Sequence, residues 1–227
     1  MKSYKSLTDK ELRKDSSWDL IKLDTQLDVK QLQDWYFSFT ETFKHLKFSM
    51  DMTQYLNPRK IESIKENIRV SSSDMDYYTL SWPCNKDIPI PPISLANESL
   101  FPEVTDTKFA HELKLMPKLN TGYMKTLHSM LGEDMCKLLR LSIHKAGSYL
   151  NKHTDGPGDI KLHIPILTNN SAYFYFGEDL ERSYVLEPGS IYIINTEVSH
   201  RTHNLGTTDR AHLFSQPVNV DRLLQEF

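Results

Sequence analysis

His153, Thr154 and Asp155 form a His-x-Asp triplet; a further histidine, His200, follows the aspartate by 45 positions, and Arg210 comes ten positions later. In an extended segment the side chains at i and i+2 point to one side, so His153 and Asp155 can reach a single ion. Two imidazoles and a carboxylate, with the remaining positions open, are the donor set that holds non-haem Fe(II) on one face. The absence of cysteine from the set argues against a structural zinc site. One such triplet among nine histidines means little by spacing alone. Its surroundings add weight: a glycine turn at Gly147 precedes it, Gly156-Pro157-Gly158 follows it, and apolar stretches lie on both sides. His203, three residues past His200, competes for the third place.

Such donors need a rigid frame, and the chain after residue 137 supplies one. Residues 139–144 alternate Leu139, Leu141 and Ile143 with Arg140, Ser142 and His144. Residues 160–167 alternate Ile160, Leu162, Ile164 and Ile166 with Lys161, His163, Pro165 and Leu167. Period-two patterns predict strands. Residues 172–176, 183–187, 190–195 and 210–216 read likewise, with turn chemistry at Asn169-Asn170, Pro188-Gly189 and Gly206. Short strands with no helical pattern between them predict a sandwich or barrel rather than parallel βαβ units. The polar faces carry Arg140, Ser142, Lys161, His163, Arg210 and His212. These are either exterior positions or the inward lining of a barrel closed around a polar ligand. A dianionic keto acid such as 2-oxoglutarate needs such a lining: a guanidinium fork for its distal carboxylate and a hydroxyl donor beside it.

Ahead of residue 137 the chain reads as helical and loop-rich support. Asp28 is a candidate N-cap for a helix over 28–45 that buries Leu32, Trp35 or Tyr36, and Phe39. Residues 116–132 predict a second helix, with Met124, Leu127, Met130 and Leu131 on one side and Gly132 at its end. His128 on it reads as a surface or core histidine. A short amphipathic helix is expected within 57–69, and a short helix or strand around 18–23. Residues 72–110 hold five of the eleven prolines and read as a binding loop or lid, or else as a plain surface connection. Residues 77–82 are a candidate strand ending at Pro83, and Tyr77, Tyr78 and Trp82 are candidates for a wall facing the substrate.

At 227 residues the chain fits one domain, 1–227, with a supporting part to residue 136 and a β core over 137–217. Its 39% hydrophobic and 25% charged residues are those of a globular protein. A net charge of −3 gives no electrostatic case for nucleic acid or an acidic membrane. Cys84 and Cys136 match neither a metal-ligand nor a disulfide pattern and read as thiols in a reducing compartment. With no apolar leader and no run long enough to span a bilayer, the expectation is a cytoplasmic protein.

Further residues complete a pattern. In order they are Ser142, eleven positions before His153, then the His153-Thr154-Asp155 triplet, Lys161-Leu162-His163-Ile164-Pro165 and Thr168-Asn169. Glu187-Pro188-Gly189, Asn195, His200, Asn204 and Asp209-Arg210-Ala211-His212-Leu213 follow. Over residues 137–217 this resembles the aspartyl/asparaginyl β-hydroxylase family of Fe(II)- and 2-oxoglutarate-dependent oxygenases, which includes some free-proline hydroxylases. The resemblance implies a mainly β fold, the double-stranded β-helix (jelly roll or cupin-like barrel), with helices packed on one side. It implies that His153, Asp155 and His200 ligate Fe(II). Arg210 and Ser142 would hold the distal carboxylate of 2-oxoglutarate, with Lys161 and His163 near its keto-acid end.

The ten-residue step to Arg210 then favours His200, leaving His203 to orient a ligand or to lie on the surface. The implied activity is O2-dependent hydroxylation of an amino acid or of an Asp/Asn-type residue in a peptide or protein. No repeat or tail suggests a docking module, which favours a small substrate, and Arg140 or another basic residue near the mouth is available to a substrate carboxylate. The sequence departs from the family twice. Ala146-Gly147 stands where Pro-Gly is usual, and Lys161 stands where Arg is usual, keeping the charge and losing the fork. Two other classes compete: a cupin-like metal-binding protein without oxygenase activity, which would not need Arg210, and a β-sandwich interaction module with an accidental triplet.

Overall fold

The structure, a computed structural model, describes residues 8–15, 17–49, 51–59, 61, 75–82, 86–92, 95–104, 113–135, 137–156 and 158–227. In chain order its strands are β1 (Leu20–Gln26), β2 (Phe48–Ser49), β3 (Met75–Thr79), β4 (Arg140–His144), β5 (Tyr149–His153) and β6 (Ile160–Leu167). β7 (Ala172–Phe176), β8 (Arg182–Val185), β9 (Ser190–Asn195), β10 (His200–Asn204) and β11 (Arg210–Ser215) complete the set. A seven-stranded sheet has the order β1-β9-β6-β11-β4-β3-β2, and a four-stranded sheet the order β5-β10-β7-β8. Every pairing within both is antiparallel. From β4 onward, β4-β11-β6-β9 in the larger sheet and β5-β10-β7-β8 in the smaller make the eight strands of a double-stranded β-helix, a jelly roll. The expected mainly β class holds.

Among the described residues four α-helices accompany the sheets: α1 (Asp9–Leu12), α2 (Val29–Thr42), α3 (Tyr123–Leu131) and α4 (Val220–Glu226). Asp28 caps α2 by accepting the Gln31 N–H at 3.0 Å, satisfying one of the donors that a helix start leaves open. The helix stops at Thr42 rather than 45, because Phe43 leaves helical geometry and a 3-10 turn, Lys44–Leu46, follows. α3 is bounded by Gly122 and Gly132, both at positive φ that glycine adopts without strain. The expected helix over 116–132 is therefore a 3-10 turn, Pro117–Leu119, and then α3.

The main hydrophobic core lies outside the barrel. Leu32, Trp35 and Phe39 of α2 and Met124 and Leu127 of α3 pack with Leu141, Ile143, Leu162, Ile164 and Leu213 from the outer face of the larger sheet. Each fully buried Leu or Ile there contributes about 1.5–3 kcal/mol relative to exposure. Between the sheets a smaller cluster, Phe174, Phe176, Leu186, Tyr192 and Ile194, fills one part of the interior. Stability thus rests largely on the helix-covered face, and the rest of the barrel interior can be polar.

Among the described residues before 137, where helical and loop-rich support was expected, β1, β2 and β3 join the larger sheet. The ambiguous stretch near 18–23 forms most of β1. β3 is buried along its whole length, and a strand covered on both faces loses its alternation of apolar and polar residues. It ends at Thr79 rather than Trp82, with Ser81 beyond it in a bridge to Leu115. The expected helix within 57–69, the two cysteines and parts of 72–110 fall outside the described residues. Among the described residues no helix is long and apolar enough to cross a membrane.

Candidate active site

The smaller sheet supplies the metal-type donors. His153 ends β5, His200 begins β10, and the two are cross-strand partners with ring centroids 4.2 Å apart. Both sit at strand ends, where ladder pairing fixes their backbones. His153 Nδ1 lies 2.7 Å from the Asn151 carbonyl oxygen and His200 Nδ1 lies 2.9 Å from that of Val198. A carbonyl oxygen only accepts, so Nδ1 carries the proton in each ring and the lone pair is on Nε2, the tautomer a metal requires. Burial first, and then the nearby His153, push the His200 pKa down to about 4, so its ring is neutral near pH 7.

Asp155 lies just past β5, where its N–H donates to the Thr196 carbonyl at 2.9 Å. Its Oδ1 is 3.9 Å from His153 Nε2, and its Oδ2 is 3.7 Å from Lys161 Nζ. Among the described residues no three His, Cys, Asp or Glu side chains are drawn together as a formed metal site. Donors at about 2.0–2.2 Å from one ion on adjacent positions lie roughly 3 Å apart, so an ion requires the Asp155 carboxylate to close inward. The donor types, the tautomers and the shared cavity fit Fe(II).

The larger sheet supplies cations and donors in a grid set by register. His144 pairs with Arg210, Ser142 with His212, and Arg140 with Phe214, which pairs on its other side with His163. These residues line a cavity of about 780 Å³ together with His153, Asp155, Lys161 and His200. Arg210 is 3% exposed. Its Nη2 donates to His212 Nδ1 at 3.2 Å, and its guanidinium carbon lies 5.9 Å from the Phe174 ring centre. Arginine N–H groups only donate, so His212 carries its own proton on Nε2.

Burial lowers the Arg210 pKa to about 9, and among the described residues no carboxylate forms an ion pair with it. His144 Nδ1, His163 Nδ1, Thr202 Oγ1 and His212 Nε2 are buried around the same cavity with no hydrogen-bond partner. The Ser142 hydroxyl lies beside that of Tyr77 but makes no hydrogen bond of good geometry. Each orphaned buried group costs about 1–3 kcal/mol, so their convergence marks a place that a polar ligand completes. Lys161 differs, with its Nζ held between Asp155 at 3.7 Å and Asp159 at 3.6 Å.

All six polar positions read from strand alternation, Arg140, Ser142, Lys161, His163, Arg210 and His212, face the cavity. His203 does not line it. It lies on the outer face of β10, 5.3 Å from the Tyr149 ring, with Nδ1 accepting from Arg201 Nη2 at 3.3 Å. The turn at Ala146-Gly147 survives, with Gly147 at φ 79° and its N–H on the Asn204 carbonyl at 2.8 Å. The proposed aromatic wall needs correction. Tyr77 lines the cavity, but Tyr78, next along β3, points the other way onto Phe39 at 5.3 Å, and Trp82 packs on Phe101 at 5.8 Å. His144 was missed although the alternation of 139–144 already grouped it with Arg140 and Ser142. Phe174 and Phe214 gave no signal, because an aromatic in a strand reads as core.

Several solved barrels resemble part of the chain. A cupin domain from Bordetella pertussis Tohama I is 14% identical, with TM-score 0.30, over 35% of this chain and 78% of that one. A predicted oxalate decarboxylase from Thermotoga maritima is 18% identical, with TM-score 0.30, over 45% and 74%. A salicylate 1,2-dioxygenase from Pseudoaminobacter salicylatoxidans is 11% identical, with TM-score 0.28, over 34% and 21%. Likeness this distant says nothing of activity. No curated protein matches the chain. A model of the aspartyl/asparaginyl beta-hydroxylase family matches residues 97–219, more than half of the sequence and well upstream of the motifs, and the chain belongs to that family.

Proposed function

We propose that the protein is an Fe(II)- and 2-oxoglutarate-dependent hydroxylase acting on an amino acid or on an Asp/Asn-type residue of a peptide. The observation that carries this reading is Arg210: a buried guanidinium with no carboxylate partner among the described residues, in the same cavity as two imidazoles whose Nε2 lone pairs are preset. Bound there, Fe(II) and 2-oxoglutarate would supply the oxidising chemistry, with O2 consumed and succinate and CO2 released as a C–H bond is hydroxylated.

The protein's part is binding, orientation and exclusion of water. His153 and His200 would hold the ion through Nε2, and Asp155 would bring the one negative donor. Arg210 would grip the distal carboxylate of the keto acid through its planar fork, with Ser142 Oγ and His212 Nε2–H as flanking donors. His163, stacked on Phe214 at 5.4 Å and edge-on to Phe174 at 5.7 Å, would stay neutral, since burial and then Arg210 lower its pKa well below 6.5. It can therefore donate or accept at the keto-acid end without adding charge. Lys161 would neutralise Asp155 and Asp159 and steady the carboxylate that must move.

Anaerobic addition of Fe(II) and then 2-oxoglutarate to the purified chain tests the reading. A visible charge-transfer band on the second addition, followed by succinate release that amino acids or peptides stimulate, is the expected result. Iron binding without the band would leave a metal-binding barrel of other function, and failure to bind iron would leave a plain β-sandwich.

A further inference from the structure

Three cations line the cavity: Arg140, Lys161 and Arg210. Lys161 is occupied by Asp155 and Asp159, and Arg210 is assigned above to the co-substrate. Arg140 remains. Its side chain shares the inward face of β4 with Ser142 and His144. Its guanidinium carbon sits 5.8 Å from the Phe214 ring centre, and among the described residues it has neither an ion pair nor a hydrogen bond. A guanidinium keeps its charge at neutral pH and carries five donors in a rigid fork. One ring face satisfies none of those donors.

Arg140 stands four residues from His144, the partner of Arg210. At about 3.4 Å per residue the two arginine-bearing rows are roughly 14 Å apart along the sheet. A five-carbon diacid spans roughly 5 Å between its carboxyl carbons. A molecule held at Arg210 therefore leaves Arg140 for a second anion. Burial lowers the Arg140 pKa, while Tyr77 and then Asp155 favour its cation, and Arg140 lines the same cavity as Asp155.

We propose that Arg140 anchors the organic substrate through a carboxylate, and that the substrate class is a small carboxylic acid or amino acid selected over its amide. This rests on the oxygenase reading. A carboxylate matches the fork with two acceptors, whereas a carboxamide turns one NH2 donor towards guanidinium donors. The selection is thus built in by mismatch as much as by attraction.

The test uses the full chain with Fe(II) and saturating 2-oxoglutarate under nitrogen, following thermal unfolding with L-proline against L-prolinamide, L-asparagine against L-asparaginamide, and L-glutamine against L-glutaminamide, so that each acid has one carboxylate and its amide none. At least one acid protects and its amide does not. Arg140→Gln weakens that protection roughly 10- to 100-fold, Arg140→Lys recovers part of it, and 2-oxoglutarate affinity stays within about threefold while Arg210→Gln loses it. Equal protection by acids and amides, or undiminished acid binding in Arg140→Gln, overturns the proposal. So does a loss of 2-oxoglutarate binding in Arg140→Gln as large as in Arg210→Gln. If Arg140→Gln does not fold, Arg140→Lys carries the comparison. If the wild type fails to bind 2-oxoglutarate, the oxygenase reading falls by itself. The acid–amide pairs on the metal-free protein then still decide on Arg140, and protection by none of the acids overturns it.

Discussion

On the smaller sheet, His153 and His200 are each fixed through Nδ1 by a carbonyl two residues back in their own strand or turn. On the larger sheet, Arg210 is fixed by another cavity side chain, His212, while His144 and His163 keep buried nitrogens without partners. On the first wall the two imidazoles are set by local backbone contacts that depend on no ligand. The other keeps buried donors that the anion proposed above would satisfy. Changes to the first wall should therefore abolish binding, and changes to the second should grade it.

The largest break comes from His200→Ala, which removes a donor outright. Fe(II) affinity should fall on the order of 1,000-fold, beyond the roughly 10- to 100-fold that losing a mere supporting hydrogen bond costs, and hydroxylation should disappear. Anaerobic iron titration measures this; undiminished affinity would remove β10 from the centre.

Acid comes next and strikes both walls. Burial puts the His200 pKa at about 4 and holds those of His144, His163 and His212 well below 6.5. As pH falls below 6.5 the unfolded chain takes up protons that the fold refuses, so stability drops between pH 6.5 and about 4 and is insensitive to these groups above that window. His200 alone would account for up to about 3 kcal/mol at the acid end. Urea unfolding of the metal-free protein at pH 7.5 and pH 5 should show the loss, and equal midpoints would refute it.

Arg210→Lys keeps the charge but not the fork. The dissociation constant for 2-oxoglutarate should rise roughly 10- to 100-fold, with iron affinity unchanged by the same titration. A smaller step follows for His212→Gln, which takes away the ring nitrogen that accepts from Arg210. A rise of roughly tenfold in KM for 2-oxoglutarate at nearly constant kcat is expected, and a fall in kcat instead would place His212 nearer the reacting atoms.

The same contrast decides what could be read from the chain. β4 and β6 were legible because one face of each packs into the helix-covered core, so Leu141, Ile143, Leu162 and Ile164 alternate with polar neighbours. β5 and β10, which carry the metal-type donors, were not. Tyr149–His153 and His200–Asn204 have a polar cavity on one side and solvent on the other, so neither strand shows the apolar period that marks a strand. Function erased the signal of the elements that hold it. β3 was read as a strand but over 77–82 rather than Met75–Thr79, because burial on both faces leaves no alternation to mark its ends. Arg140, Ser142 and Arg210 could be grouped by alternation, but inward and outward faces look alike until the second sheet is known to close over them.

The smallest expected effect is also the sharpest check on register. Spacing alone allowed His203 to stand in for His200, and a one-residue slip of β10 would exchange the faces. In the observed pairing His200 and Thr202 point inward, while Arg201 and His203 form an outer cluster with Tyr149, the guanidinium carbon of Arg201 lying 5.0 Å from the Tyr149 ring centre. His203→Ala should leave Fe(II) affinity within about twofold, because a partly exposed contact outside the cavity adds little to anything but local packing. If His203→Ala abolished iron binding while His200→Ala did not, β10 would be paired one residue out, and the donors assigned to the smaller sheet would have to be drawn again from its other face.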